Sequence, residues 1–539
     1  MNKKIITLLV LALIFLLGTF LRFYQLGKTP DSLDWDEAAW GYNAYSILHT
    51  GKDEYGVSFP ISFKSFGDYK QPVYIYSEVL PIAIFGLNAF STRFPSAFYG
   101  SLSTIFVFLL VFELLYKTKN RDRIALAGAL IFAISPWSIQ FSRVAFEATL
   151  GVFFVLVGLY LLLLGIRKKS NIAFVISIVS FALSAYSYHS EKIFMPLFII
   201  VLFLLFHKYF LQRKVLTAFL LILIFLTNSL WLFNSTTTAR GASVLFTSQQ
   251  TQLLKNSANA IIYDHQHNDK LGVLLNNRRI VYANTFILNY LKHWDPNWLF
   301  ITGDLQRHHA PGMGLLYLIS LPFILFGLFV SFRDKFENRY ILLIWFLLSP
   351  IASAIAIDAP NAERSLIMLP PLVIWEAVGF MTFLNWSISK NLMIVKRFLL
   401  IFVIIAYIFN FGYYLQQYFA HTNYDTQQYW QYGYQQAAEF AATQTNKNVY
   451  FDNSIEQGYI FYLFYNKFDP AKYQAMHTNS GMGKSCWSIG TVYFGSCQTK
   501  VNKGDLYITS NGDPFTKSKL INKVQYLNGN TAVYIYEKS

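Results

Sequence analysis

The sequence predicts an α-helical polytopic membrane protein with about eleven transmembrane helices and a small extracytoplasmic α/β domain at the C-terminal end. Three observations predict it. The 539 residues are 54% hydrophobic and 18% aromatic but only 14% charged, far below the roughly 25% charge of soluble domains. Apolar stretches of about 16 to 22 residues recur as far as about residue 415, each about long enough for a ~30 Å hydrocarbon core. The formal charge of +15 is gathered into short Lys/Arg clusters between those stretches, which is how topology is encoded. No basic patch with interleaved aromatics lies on a soluble segment, so the charge does not point to nucleic acid.

The chain opens on Met1-Asn2-Lys3-Lys4 and then IITLLVLALIFLLGTFL. A basic start without a small-x-small cleavage site predicts an uncleaved first helix. Further spans are expected near 97–116, 124–139, 148–166, 171–187, 193–210, 215–233, 313–331, 340–357, 366–386 and 398–415. With the N-terminus inside, the connections 116–123, 167–170, 207–214, 333–339 and 389–397 also fall inside, and each is rich in Lys or Arg, as the positive-inside rule requires. An odd number of spans puts the C-terminus outside. Residues 1–415 are therefore expected to form a transmembrane domain with outer loops 24–95 and 234–312, and 416–539 an extracytoplasmic α/β domain. In that tail DTQQYWQYGYQQAAEFAATQ and IEQGYIFYLFY read as helices, and NVYFDN, GDLYITS and TAVYIYEK as strands. The two cysteines, Cys486 and Cys497, are open to two readings, a short-loop disulfide or free thiols, decided by compartment.

The outward-facing segments carry the chemistry. SLDWDEAAWGYNAY (Ser32–Tyr45) sets Asp34, Asp36 and Glu37 beside Trp35 and Trp40. Trp40, Ala44, Ile47 and Leu48, at i, i+4, i+7 and i+8, predict a helix lying in the membrane interface. Lys70 precedes Pro72; Arg143 and Glu147, four apart, are expected on one helical face; His189, Glu191 and Lys192 crowd a turn; and Asp358, Glu363 and Arg364 precede another span. Each charge at membrane depth costs ~2.5–3.5 kcal/mol. Snorkelling cations and structural ion pairs are one explanation of the set, and a polar site at the outer rim is the other. Segment 234–312 adds His265, His267, His308 and His309 near Asp264, Asp269 and Asp304. His-x-His is compatible with a metal, but the spacing matches no specific signature, and a loop covering acceptor or lipid is expected there.

At WDEAAWGYNAY, YKQP, FSRVAFEA and ERSLIMLP the chain resembles the GT-C membrane glycosyltransferases. The similar branch contains the dolichyl-phosphate-mannose protein mannosyltransferases and the bacterial aminoarabinose transferase of lipid A. The resemblance implies a GT-C-like architecture in the plasma membrane and an undecaprenyl- or dolichyl-type phosphosugar donor. It also implies an extracytoplasmic site, inversion at the anomeric carbon, no cofactor and no catalytic metal. The partners implied are that donor, membrane lipids and a protein, glycolipid or cell-wall glycan acceptor. By the same resemblance Asp36 is the candidate base, Lys70 a candidate ligand of the donor phosphate and Glu147 a second acidic site residue; Glu37 is a further acidic candidate, and Arg364, Lys192 and Arg143 are candidates by charge to stabilise the departing phosphate. Trp35, Trp40, Tyr42 and His189 are candidate sugar or acceptor contacts. Two departures stand out: Gln71 replaces the first proline of a Lys-Pro-Pro pattern, and Glu147 stands where Asp is commoner.

Elementary chemistry agrees with those roles. A sugar on a lipid phosphate already has a good leaving group, so a general acid is not needed as it is in a glycosidase; one base and several cations suffice. Three rival readings remain in view. An O-antigen ligase or polymerase shares the topology without the acidic first loop. A transporter needs polar groups near the midplane, where these spans read as nearly uncharged. A non-catalytic scaffold would not need Asp36 or Lys70.

Overall fold

The computed structural model describes residues 3–213, 251–387, 393–479, 486–515 and 517–539. The span expected at 215–233 lies outside the described residues. Among them five helices are long and apolar enough to cross a membrane: Lys3–Phe23, Ala89–Leu114, Ala148–Lys168, Leu366–Ser387 and Ile394–Asp425. A sixth results if Arg121–Ile134 and Pro136–Ser142, bent by 55°, are one span. The bend has a local cause. Proline forces the residue before it out of the helical region, and Ser135 is extended at φ −62°, ψ 128°. The Trp137 amide donates instead to the Leu315 carbonyl, 3.0 Å away, and its indole to the Ala362 carbonyl at 3.2 Å.

The stretches expected at 171–187, 193–210, 313–331 and 340–357 are helical but short, as Asn171–Ala185, Glu191–Leu205, Ser320–Arg333 and Arg339–Leu348. The last is interrupted before Pro350, with Ile351–Ala354 beyond it. Five or six full-length spans among the described residues, with these shorter helices beside them, is thus a coarser count than eleven. A further apolar helix, Pro72–Phe85, lies in what reads as the first outer loop.

The compact units do not follow a single cut at 415. One comprises Met1–Leu21, Tyr99–Phe141 and Phe146–Gly412; the other comprises Arg22–Phe98, Ser142–Ala145 and Tyr413–Ser539. In the first unit, Gly327 of Ser320–Arg333 and Gly379 of Leu369–Ser387 let two helix backbones touch. A Cβ at either would run into the carbonyl oxygen of Trp375 or of Phe323. Small residues at such crossings are what drives helix association where lipid removes the hydrophobic incentive. Beside them Glu376, buried near the centre of its span, accepts from Ser320 Oγ at 2.6 Å and Tyr407 OH at 2.8 Å. The spans are therefore not uniformly uncharged at their centres, and this carboxyl is held by hydroxyl donors from two other helices.

The second unit contains a six-stranded mixed sheet in the order β4-β5-β3-β6-β8-β7, with β3 (Val449–Phe451), β4 (Cys486–Ile489), β5 (Val492–Gly495), β6 (Leu506–Thr509), β7 (Ser518–Gln525) and β8 (Thr531–Lys538). Strand β3 runs parallel to β5 and β6, and the other pairs are antiparallel. The three expected strands and the helices Tyr434–Thr443 and Gly458–Tyr465 are present. Strands β4, β5 and β7 were not expected. Cys486 and Cys497 are bonded, with Cα atoms 5.0 Å apart, which settles the choice between disulfide and free thiols.

The first outer segment belongs to the same unit. Helix Trp35–Thr50 is buried along most of its length, including Glu37, Trp40, Tyr42, Asn43, Ala44 and Ile47. The expected amphipathic interface helix is thus corrected to a core helix. Small residues explain the burial: Gly41 lies so close to Phe464 and Thr92 that no Cβ would fit.

Gly379→Leu should lower the apparent melting temperature in detergent by far more than Gly412→Leu, because nothing lies within 4 Å of a Cβ at Gly412 and overpacking costs at least about 1–3 kcal/mol. Thermal unfolding of the two purified variants measures this.

Candidate active site

The three carboxylates of the opening stretch have different fates. Asp34 is the N-cap of Trp35–Thr50: its Oδ1 accepts from the Glu37 amide at 2.8 Å, and Glu37 Oε2 accepts from the Asp34 amide at 3.2 Å. This is a capping box. Glu37 also accepts from Arg93 Nε at 2.8 Å, Arg93 Nη2 at 2.9 Å and the Ala145 amide at 2.9 Å. With both partners fully buried and its oxygens already taken, Glu37 is corrected from a catalytic to a structural residue. Consecutive helical residues point about 100° apart, so Asp36 faces elsewhere.

Asp36 meets Lys70, Oδ1 to Nζ 2.8 Å. Lys70 is held in place by local geometry. Strands β1 (Phe63–Ser65) and β2 (Asp68–Lys70) pair antiparallel with Ser65 opposite Asp68, leaving Phe66 and Gly67 as a two-residue turn, both at positive φ (51° and 78°). That favours glycine at the second position. Directly after Lys70, Gln71 is the N-cap residue and Pro72 the first residue of the Pro72–Phe85 helix, where proline is at home. Lys70 is thus fixed between a hairpin and a helix start. Asp68 Oδ2 lies 3.9 Å from its Nζ, and the Trp40 ring lies 6.0 Å away.

The pair opens onto a cavity of about 850 Å³ lined by Trp35, Asp36, Tyr55, Lys64, Phe66, Asp68 and Lys70 from the N-terminal segment and by Asp452, Asn453, Glu456, Tyr459, Trp487 and Phe494 from the C-terminal one. Four of its rings form a chain of edge and tilted contacts: Phe66 to Tyr459 at 6.0 Å, Tyr459 to Trp487 at 5.3 Å and Trp487 to Phe494 at 5.1 Å. Burial pushes the Tyr55 and Tyr459 hydroxyls above their ordinary range. Burial also raises Asp452, but hydrogen bonds from Tyr507 and Ser454 outweigh it and hold the carboxyl low. Behind Tyr55, Glu54 is buried against Asn43, whose Nδ2 donates to it at 3.1 Å, and burial pushes its carboxyl up to about 8.

The other expected site residues are dispersed. Trp35 lines the cavity, but Trp40 and Tyr42 are core residues. Trp40 packs on Tyr74 with ring centres 5.4 Å apart, and Tyr42 donates to the Phe468 carbonyl at 3.1 Å. Arg143 is buried in the same unit, donating to the carbonyls of Tyr24 at 2.6 Å, Arg22 at 3.2 Å and Thr29 at 3.3 Å, with Tyr418 and Phe419 rings over it. It organises backbone. Residues 143–147 are a turn, so Arg143 and Glu147 do not share a helical face as expected; the helix ends at Ser142 and the next begins at Ala148.

Glu147, His189, Lys192 and Arg364 belong to the other unit. There Glu147 is buried at the start of Ala148–Lys168, and His189 lies in the turn before Glu191–Leu205. Lys192 Nζ sits 5.8 Å from the Tyr186 ring centre, and Arg364 pairs with Asp358. In that unit His308 Nδ1 lies 3.1 Å from Asp304. Burial raises Asp304, but the His308 charge and hydrogen bond and the Ala362 amide bring it below its ordinary value. Among the described residues no group of three His, Cys, Asp or Glu side chains is arranged to hold a metal ion.

Comparison with known proteins bears on this geometry. Residues 70–231 match the family model of dolichyl-phosphate-mannose-protein mannosyltransferases. ArnT from Cupriavidus metallidurans superimposes with a TM-score of 0.56 at 11% identity in the apo state and 0.57 at 12% when bound to undecaprenyl phosphate, over 99% of this chain and 98% of that one. The chain has the GT-C fold of membrane glycosyltransferases. The archaeal oligosaccharyltransferase AglB from Archaeoglobus fulgidus, in complex with an inhibitory peptide and a dolichol-phosphate, matches this GT-C chain over 86% of its length. The TM-score is 0.52 and the identity 14%, and the match spans 64% of the archaeal protein. No curated protein sequence matches.

The C-terminal wall of the GT-C cavity was not expected. Its only sequence signal is the density of aromatic and polar residues in 449–459 and 486–495, which singles out no site by itself.

Arg93→Met should destabilise the protein by about 3–5 kcal/mol, the cost of leaving a buried charge unpaired. Glu37→Leu combined with Arg93→Met should recover part of that loss in thermal unfolding. Glu54 gives a pH signature. Between its ordinary 4.5 and about 8 the folded protein keeps a proton that the unfolded chain has lost, so stability falls as pH rises through that window. Glu54→Gln should flatten the fall in a melting series from pH 4.5 to 8.5.

Proposed function

We propose that this chain is an inverting glycosyltransferase that moves a sugar from a polyprenyl-phosphate donor to an acceptor hydroxyl on the extracytoplasmic face of the plasma membrane. The observation that carries the reading is the Asp36–Lys70 pair at 2.8 Å, opening onto a large aromatic-lined cavity. Support comes from the matched mannosyltransferase family model and from the fold shared with ArnT, one of whose structures holds undecaprenyl phosphate. The Cys486–Cys497 disulfide favours an oxidising compartment for the unit that carries the site, in agreement with the inside bias of the Lys/Arg clusters.

The chemistry follows from the side chains. The acceptor oxygen attacks C1 from the face opposite the phosphate, and its proton passes to the Asp36 carboxylate. The C1–O bond to phosphate breaks with its electron pair on the phosphate oxygen, where the Lys70 ammonium stabilises the developing charge. A single displacement inverts the anomeric centre and releases polyprenyl phosphate. Trp35 offers an aromatic face to the sugar. From the sequence alone, Glu147 is a candidate acidic residue, Arg364 and Lys192 are candidate phosphate ligands and His189 is a candidate sugar contact; all four belong to the other unit. Glu37, Trp40, Tyr42 and Arg143 act only by holding the framework.

Reconstituted protein and a panel of undecaprenyl- and dolichyl-phosphate sugars test this. Asp36→Asn should lower kcat by about 10²–10⁴-fold, the usual worth of a general base, at unchanged folding. Lys70→Met should lower it too, with weaker inhibition by free polyprenyl phosphate. Undiminished transfer in Asp36→Asn would remove Asp36 as base.

A further inference from the structure

Resting on that reading, we infer that the C-terminal wall of the cavity is the acceptor subsite and that it takes a carbohydrate hydroxyl, so that the product is an extended glycan rather than a glycosylated peptide. Four features of the wall lead there.

The first is its position. Phe451 to Tyr459 and Phe494 to Gly495 lie at the carboxyl ends of the parallel strands β3 and β5, the end of an α/β sheet where ligands sit. Asp36 and Lys70 line the same cavity from the N-terminal segment. The donor's reacting carbon belongs beside that pair, which leaves the sheet end for whatever receives the sugar.

The second is a rigid aromatic platform. Trp487 is half-buried on β4 with Phe494 behind it and Tyr459 against its edge. The disulfide from neighbouring Cys486 to Cys497 fastens β4 to the turn after β5. A pyranose presents one face of C–H groups that packs on such a ring, and a platform already fixed loses little entropy on binding.

The third is hydrogen bonding. Asn453, Glu456 and Gln457 are exposed on the loop after β3, and Gln457 is at φ 54°, which turns the chain sharply into the next helix. Asn453 Nδ2 donates to Ser496 Oγ at 2.7 Å, and an amide side chain also carries an acceptor oxygen. Amides and carboxylates at a ring edge match vicinal hydroxyls, each of which both donates and accepts.

The fourth is charge and volume. Asp36, Asp68, Asp452 and Glu456 outnumber Lys64 and Lys70 around the cavity, so an anionic acceptor headgroup is disfavoured away from Lys70. At about 850 Å³ the space is near the upper end of the roughly 300–1,000 Å³ of small-molecule sites, with room for sugar units from both substrates.

The test uses the full-length protein in liposomes, with undecaprenyl-phosphate-mannose as donor. Neutral gluco-, manno- and N-acetylglucosamine tetrasaccharides compete as acceptors with a Ser/Thr-rich peptide. Consumption of donor reports the underlying transferase reading, and the acceptor that becomes labelled reports this inference. Labelling of a tetrasaccharide, with saturation-transfer NMR contacts to its ring protons, is expected. Trp487→Ala should raise the tetrasaccharide KM at least tenfold with the donor KM unchanged, and Trp487→Phe should restore most of the loss. Labelling of the peptide alone, or donor consumption without tetrasaccharide labelling or contacts, overturns the inference while the transferase reading stands. A rise in donor KM with Trp487→Ala assigns the platform to the donor and overturns it as well. Absence of any donor consumption would take the transferase reading down with it.

Discussion

The buried ion pair between Glu37 and Arg93 is the constraint from which the described site follows. Arg93 Nη1 and Nη2 also donate to the carbonyls of Pro30 at 2.7 Å and Ser32 at 2.6 Å, so one guanidinium holds the loop that enters helix Trp35–Thr50 while Glu37 holds the helix start and the Ala145 amide. A buried pair contributes little net stability compared with a well-packed apolar substitute. Its worth here is directional: with a fifth guanidinium bond to the Leu26 carbonyl at 3.3 Å and both Glu37 oxygens engaged, the helix has one orientation, and one residue earlier Asp36 is delivered to the cavity. The carboxylate best placed for chemistry is aimed by the carboxylate that does none.

The same division of labour recurs at Arg143 and Asp34. Both look like site residues by type and by their place in an outer loop, and both are spent on backbone groups. Arg143 donates to three backbone carbonyls, one of which, that of Thr29, also accepts from the Tyr418 hydroxyl, and Asp34 caps the start of a helix. Ionisable residues gather in this unit in two ways: some line the cavity, and others satisfy the irregular backbone that carries them.

This explains how much could be read beforehand. The apolar runs announce themselves by length, so helices stand at every expected stretch within the described residues, and Asp36 and Lys70 could be singled out because each sits in a short polar motif flanked by aromatics. What the motifs do not encode is direction. Asp36 and Glu37 are neighbours in sequence, and only the identity of Arg93, which carries no motif, decides which of them turns inward. The spacing of Arg143 and Glu147 is helical, yet the chain breaks between them, because a buried arginine seeking three carbonyls outweighs helix propensity. The joining of the first outer segment to the tail is invisible for another reason: it consists of packing between positions about four hundred residues apart, such as Gly41 against Phe464, and packing leaves no local periodicity.

That long-range joining has a consequence for biosynthesis. Chains emerge from the ribosome at roughly 5–20 residues per second, and the strand that closes the sheet around β6 runs from Thr531 to Lys538. The hairpin bearing Lys70 is therefore made well before the sheet that shares its compact unit. During that interval its cavity has no floor of aromatic rings. The cavity has both its walls only once residues 451–495 have packed against the N-terminal segment, so two stretches of chain made far apart in time build one pocket.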